Sequence, residues 1–444
     1  MAVSPVLTDR GGERFLALDS LVSPYGVVAS VGPVRGRFRG PGELAEASAT
    51  AGWGVRTGQG PRTVGKRCKV LSGGGRAMKS PEHARLVAIA EAAERYAGCD
   101  ILGEPRVWAK AAELDGPVLD PGRYPRCSAA EYSTAGCPVR PFDPDARIRW
   151  VRGLELTGGG PIWVPAAMAC YGLEHRVAGE HFSYPISTGY AVHTDPVEAL
   201  VGGICEIIER DALSLVWRQR LPIPLSGPEA SSPATDYLAS WAERHFIQTY
   251  LFDATTDLGV PTVYCLQVAE HDRRARHVVG CAAARNMALA AEKALHEALG
   301  VRGLFYGDDD IPSDYAKFSG LTDGARYMGT PERSAAFDFL VDGAGQRPVV
   351  HRAALPADPG AALARLIAIF TEREMPVAVV DRTTRELAAA GLTCVSVVIP
   401  DLHPMSLQPL AQFLAHPRLY DAPARMGYRV STEGELNPWP QPFA

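Results

Sequence analysis

Hydrophobic and polar positions change their spacing several times along the chain, and each change marks a predicted element. Residues 26–31 alternate in a strand-like way, and Gly32-Pro33 reads as a turn. Residues 1–65 as a whole read as short strands broken by glycine. A helical period then runs over residues 80–98, with Ser80 in the N-cap position, Pro81 in the first turn and Gly98 where a C-cap belongs. Residues 100–180 read as strands and loops, with Thr157-Gly158-Gly159-Gly160 turning between 148–156 and 162–167. A second long helix is predicted over 195–220, opened by Thr194-Asp195-Pro196. Strand character returns at 246–252, 262–268 and 277–282, and a third helix covers 287–302. Helix and strand then alternate over 361–373, 377–380, 384–390 and 393–399. No βαβ period runs through most of the chain, so the pattern predicts an α+β fold: a large mixed or antiparallel sheet with long helices packed on it. No low-complexity linker interrupts it. The expected organisation is an N-terminal elaboration over 1–65 and one cooperative domain over 66–444.

Composition narrows the function classes. The chain has 444 residues, 46% of them hydrophobic, ample for a large core. Its formal net charge is −5, so there is no basic field to hold nucleic acid or an anionic membrane. No apolar run approaches the ~18 residues of a membrane span, and the first residues lack a secretory layout, so a cytoplasmic protein is expected. Nine cysteines are scattered without a C-x-x-C pair, which argues for reduced thiols. Neither they nor the histidines show the spacing of a structural transition-metal site.

Two stretches raise the question of phosphate. Gly60 to Lys66 fits G-x-x-x-x-G-K, but Arg67 stands where a Mg²⁺-binding hydroxyl is needed and Pro61 removes a cradling amide. It reads as a decoy, and Ser72-Gly73-Gly74-Gly75 as a flexible turn. An internal echo carries more. Glu91-Ala-Ala-Glu94-Arg95 and Glu206-Ile-Ile-Glu209-Arg210 repeat E-x-x-E-R at an offset of 115 residues, and Pro81/Pro196 and Ala84/Ala199 share that offset. Residues three apart on a helix share a face. The two pairs are either solvated helix ends or carboxylates converging on divalent cations, since hard Mg²⁺ prefers oxygen ligands and bridges phosphates.

These motifs, with Ser187-Thr188-Gly189-Tyr190-Ala191, Asp195-Pro-Val-Glu198-Ala199, Pro400-Asp401-Leu402 and Arg418-Leu419-Tyr420-Asp421-Ala422-Pro423, resemble the YcaO family. The resemblance covers roughly residues 65–444. It implies an ATP-binding fold without a P-loop and a catalytic domain over 66–444. It further implies that Glu91, Glu94, Glu206 and Glu209 form the Mg²⁺ and phosphate shell, with Arg95 and Arg210 completing the motifs. Glu198 and Glu297 would be further nucleotide-site residues. Arg302 and Arg220 (or Arg218) would face phosphates, and Arg76 or Lys79 would replace the cation of a G-K-G stretch usual in the family. Val87 stands where members usually have Ser, and Gly300 where they usually have Gln.

The last residues, Asn437-Pro438-Trp439-Pro440-Gln441-Pro442-Phe443-Ala444, contain a P-x-P-x-P run, which holds an extended strand at low entropy cost. In the family such a run marks azoline-forming cyclodehydratases acting on ribosomal peptides. The resemblance therefore implies ATP-dependent cyclisation of Cys, Ser or Thr, with Pro438, Pro440, Pro442 and Ala444 in the catalytic machinery and the terminal carboxylate a candidate base. Expected partners are a precursor peptide, a ThiF-like leader-binding protein and a flavin dehydrogenase acting afterwards; a homodimer is also an expectation. The alternatives are a thioamide- or macroamidine-forming enzyme and a non-catalytic scaffold.

Overall fold

The computed structural model describes residues 17–34, 40–52, 72–99, 105–307, 311, 313–318 and 320–444. The Gly60–Lys66 stretch, Arg67 and Cys68 lie outside the described residues, as does much of the 1–65 elaboration.

The large antiparallel sheet expected from sequence is present with six strands, and two smaller antiparallel sheets complete the frame. The first joins β1 (Val28–Pro33), β2 (Leu44–Ala51) and β3 (Ser72–Met78) in that order, and helix α1 (Pro81–Ala97) packs across it. The largest orders β4 (Val107–Ala109), β5 (Ile148–Glu155), β11 (Ala378–Asp381), β12 (Thr393–Val398) and β7 (Tyr190–His193), with β6 (Gly160–Pro165) also paired to β5. The third orders β10 (His277–Ala283), β9 (Thr262–Val268) and β8 (Gln248–Asp253). Helices α3 (Pro233–Arg244) and α4 (Met287–Leu304) pack on this sheet. Between the sheets runs α2 (Pro196–Gln219), contacting β7, β10, β12, α5 (Pro359–Thr371) and α6 (Arg418–Arg425).

Local chemistry explains the boundaries. Ser80, Asp195 and Asn286 each accept a backbone N–H in the first turn of the helix they cap, at 3.1, 2.8 and 2.9 Å. Ser72 to Gly75, read from sequence as a turn, is instead the start of β3. The glycines there serve close packing. A Cβ on Gly75 would collide with the backbone of Ala84 and Ala88, and one on Gly73 with that of Ala92, so α1 lies nearly on the strand. The same device recurs where Gly280 of β10 meets the backbone of Ala294 and Ala298. Among the described residues no helix is long and apolar enough to cross a membrane.

Candidate active site

The two E-x-x-E-R segments sit late in α1 and midway along α2, and each is met by a backbone amide, from β3 in the first case and from the turn that opens β7 in the second. Gly74 N–H donates to Glu91 Oε2 at 2.9 Å, and Gly189 N–H donates to Glu206 Oε2 at 3.1 Å. Each donor stands 17 residues before its glutamate, so the internal echo extends from the helices back to β3 and to the turn that opens β7. Strand β10 adds two more amides: Ala283 N–H to Glu209 Oε2 at 3.1 Å, and Cys281 N–H to Glu297 Oε2 at 2.9 Å. Three of the five carboxylates thus have one oxygen tied to a strand amide and Glu206 has one tied to the turn that opens β7; Glu94 is held differently. Arg95 forks between Glu91 at 3.0 Å and Glu94 at 3.4 Å. Arg210 forks in the same way between Glu206 at 3.5 Å and Glu209 at 3.1 Å.

Charge couples the three helices. Burial pushes the Glu94 carboxyl up to about 8, against the pull of Arg95 and with further repulsion from Glu206 and Glu91. Glu297 is likewise pushed up to about 8 by burial, with Arg210 opposing and Glu209 adding repulsion. Burial also raises Glu206 and Glu209, opposed chiefly by Arg210. Burial works against the charge of both arginines, but Glu91 and Glu94 hold Arg95 protonated above its ordinary value, and Glu209 and Glu206 do so for Arg210. The Glu94 side chain is only 12% exposed, which excludes the solvated-helix-end reading for that residue. Such like-charged crowding is unfavourable unless counter-charge completes it.

The donor set, hard carboxylate oxygens beside forked guanidinium groups, fits a divalent cation and phosphate. As the side chains stand, the glutamates are gathered in arginine-bridged pairs. Among the described residues no three His, Cys, Asp or Glu side chains converge as a metal cage.

The other sequence-derived candidates divide. Arg76 reaches the site: it pairs with Glu46 at 3.1 Å, lies across Gly300 of α4 and helps to hold down the Glu297 carboxyl. Glu198 is engaged by Arg285 at 2.8 Å near Cys205. Lys79 does not join them. It has a left-handed backbone, a side chain 71% exposed, and pairs with Glu43. Arg302 is 1% exposed and donates to Ala275 O at 2.7 Å and Gln267 at 3.3 Å, facing β9 rather than phosphate. Arg220 is an exposed left-handed C-cap on a shallow surface with Arg429 and Glu435. Lys293 was missed; it lies near Glu209 and Cys205, and its place four residues before Glu297 was the available signal.

Arg218 has a different task from phosphate contact. Buried near the end of α2, it donates to the carbonyls of Asn437 and Trp439, both at 2.8 Å, while its own carbonyl accepts Asn437 N–H at 2.8 Å. Trp217 Nε1 adds a bond to Trp439 O at 3.1 Å. The proline strand continues past Gly324, whose Cβ would come within 2.6 Å of Gln441 O. It brings the buried Phe443 ring to 4.5 Å from the Arg210 guanidinium, and Ala444 against the core that includes α4. Of the four tail residues proposed from sequence, Pro440 and Pro442 are buried, Ala444 is partly buried and Pro438 is exposed.

Known proteins supply the comparison. A family model described as YcaO cyclodehydratase, ATP- and Mg²⁺-binding, matches residues 74–403. An uncharacterised protein in the tfuA 3′ region of Rhizobium leguminosarum bv. trifolii is 30% identical over 161 residues, covering 34% of this chain and 38% of that protein. A heterocyclase solved in complex with substrate and cofactor is 22% identical with a TM-score of 0.78, over 98% of this chain and 58% of that one. YcaO from Methanopyrus kandleri, bound with AMPPCP and Mg²⁺, is 19% identical with a TM-score of 0.59, covering 90% of this chain and 91% of that one. The E. coli microcin synthetase McbBCD complex gives 14% identity and a TM-score of 0.60, over 94% of this chain and 99% of the matched one. The chain thus spans well under two thirds of both the curated relative and the first of these heterocyclases. At these identities the structural matches establish the fold, and the family model establishes kinship. The chain belongs to the YcaO family of ATP- and Mg²⁺-binding cyclodehydratases.

Proposed function

We propose that this protein cyclises Cys, or Ser and Thr, in a ribosomally made precursor peptide to thiazoline or oxazoline in an ATP-dependent reaction. The observation that carries the reading is the meeting of three acidic helices with the proline-rich strand at Arg210, whose guanidinium forks Glu206 and Glu209 and lies under Phe443. Glu91, Glu94, Glu206 and Glu209 would hold Mg²⁺, with Glu297 and Glu198 beside the nucleotide. Arg95, Arg210 and Arg76 would then be redirected from carboxylates toward phosphate oxygens. Bound ATP supplies a phosphoryl group that turns the amide oxygen into a leaving group. The chain's residues neutralise the transferred charge, position the peptide and exclude water, which is where phosphoryl-transfer catalysis gains most. Pro440 and Pro442 seat Phe443 and Ala444 at the reacting end. The terminal carboxylate of Ala444 remains a candidate base.

A ThiF-like leader-binding protein would deliver the peptide, and a separate flavin dehydrogenase would oxidise azolines to azoles. The similarity to the E. coli microcin synthetase McbBCD complex supports a multi-protein assembly. The test is product mass after incubating the chain with Mg·ATP, the ThiF-like protein and a leader-fused peptide. Loss of one water per ring, absent in Glu206→Gln, supports the reading. Exchange of oxygen for sulfur would replace it with thioamidation, and no mass change with a folded protein would overturn it.

A further inference from the structure

Beside Arg210 the fold leaves a half-open cavity of about 100 Å³ whose walls are tied to both acidic helices. Ile207 and Arg210 reach it from α2, the first directly after Glu206 and the second directly after Glu209. Thr188 lines it too, directly before the Gly189 whose N–H holds Glu206 at 3.1 Å. Tyr171 adds a wall, and its hydroxyl donates to Arg95 O at 2.8 Å, at the end of the first E-x-x-E-R segment. A group seated here therefore abuts the positions proposed above for Mg²⁺ and phosphate.

Much of the remaining lining is apolar. Met168 and Ile186 are partly buried, and Met405 and Phe413 are 4% and 3% exposed. Phe413 has a left-handed backbone, with φ 54°, which is uncommon for a bulky residue. The buried Glu131 fixes it from both sides, accepting the N–H of Gln412 and that of Leu414, the latter at 2.8 Å. Strain of this kind persists only where the surroundings over-determine it, and it collects at ligand sites. Phe413 is thus a rigid wall, and the two methionines are adaptable ones. Among the described residues the lining holds no carboxylate, and its one cation, Arg210, is already shared by Glu206 and Glu209. Such a lining suits an uncharged, apolar group. An apolar cavity of ~150 Å³ binds benzene, so the smaller space here fits a branched aliphatic side chain in preference to an aromatic ring.

We infer that this cavity receives the side chain of the residue immediately before the cyclising Cys, Ser or Thr, and that it selects Val, Leu or Ile there. The inference rests on the cyclodehydration reading. That residue owns the carbonyl whose oxygen takes the phosphoryl group, so its side chain leaves the peptide beside the very atom that has to reach the acidic site. Seating the side chain against Ile207 and Met405 fixes the carbonyl next to Arg210, and the gain is one of orientation. Specificity for the precursor peptide then lies partly in this chain, at the residue next to the one that cyclises.

The probe is a set of synthetic leader-fused peptides, each with one Cys preceded by Gly, Ala, Val, Leu, Phe or Trp, turned over by the full chain with Mg·ATP and the ThiF-like protein. With the wild type, kcat/KM should be ~10-fold or more higher after Val or Leu than after Gly, the scale of a filled apolar pocket, and should fall again at Trp. Met405→Ala enlarges the cavity and should move the optimum to Phe. Met168→Phe fills it and should move the optimum to Gly or Ala. Opposite shifts in size preference are something a loss of stability alone would not produce. Met405→Val and Ile186→Phe stand in for either variant that fails to fold. Azolines formed with equal kcat/KM across the set, or fastest after Gly or Trp, overturn the inference alone, as does a wild-type preference that neither folded variant moves. A wild-type enzyme that forms no azoline from any peptide overturns the cyclodehydration reading, and this inference with it.

Discussion

The guanidinium of Arg76 on β3 lies in the space that Gly300 of α4 leaves empty, so that any Cβ at position 300 would collide with it. Two departures from the family's usual residues, an Arg near the end of the first sheet and a missing Gln on the third helix, are therefore one compensated change. Gly300→Gln should displace Arg76 from Glu46 and the Glu297 field and weaken binding of a non-hydrolysable ATP analogue with Mg²⁺ roughly tenfold, or ~1.4 kcal/mol. Adding Arg76→Gly should restore part of that affinity. Calorimetric titration of the single and double variants checks the coupling.

Removing a charge from the acidic site should separate stability from ligand response. Glu94 is raised from its ordinary value near 4.5 to about 8, so the folded state binds more protons than the unfolded one between those values. Stability of the ligand-free protein should therefore fall as pH rises through that window. Glu94→Gln should flatten this slope and raise the melting temperature at pH 8. The rise in Tm produced by Mg·ATP should at the same time be lost. A steeper slope in the variant would contradict the assignment.

Phe443→Ala removes a buried ring from above Arg210 and breaks the tail's anchorage. Burial of this size is worth ~3–5 kcal/mol, enough to free the last residues from a strand held by carbonyl bonds to Arg218 and Trp217. Peptide cyclisation should drop sharply while nucleotide affinity changes little, because the Phe443 ring stacks on Arg210 without supplying a group that would hold Mg²⁺ or phosphate. Mass assay and titration, run side by side, distinguish the two effects.

Arg302 provides the converse test. Arg302→Met should lower stability by ~1–3 kcal/mol through carbonyl and carboxylate groups left unpaired, with no change in the affinity for Mg·ATP. A large loss of affinity in a folded variant would restore the phosphate-facing role expected from sequence.

These contrasts show what the sequence could reveal. Caps and apolar periods placed α1, α2 and α4 correctly, because Ser80, Asp195 and Asn286 act locally. The repeated E-x-x-E-R was legible for the same reason. Arg302 misled because five residues advance a helix by ~140° beyond a full turn, carrying the side chain away from the face of Glu297. Ser72 to Gly75 misled because its glycines answer to a helix above them, a tertiary demand that no local pattern displays. Arg218 was legible as a candidate but not in its task, because the Asn437 and Trp439 carbonyls it holds lie far along the chain and no local pattern displays them.

The crowded carboxyls have one more consequence. Burial lifts Glu94 to about 8, so at neutral pH it keeps its proton, and a divalent cation at the proposed site would take it only as a carboxylate. Loading of the proposed site would therefore also release a proton. The heat measured on loading will vary with the ionisation enthalpy of the buffer, and acidification will act as a competitive antagonist of the metal.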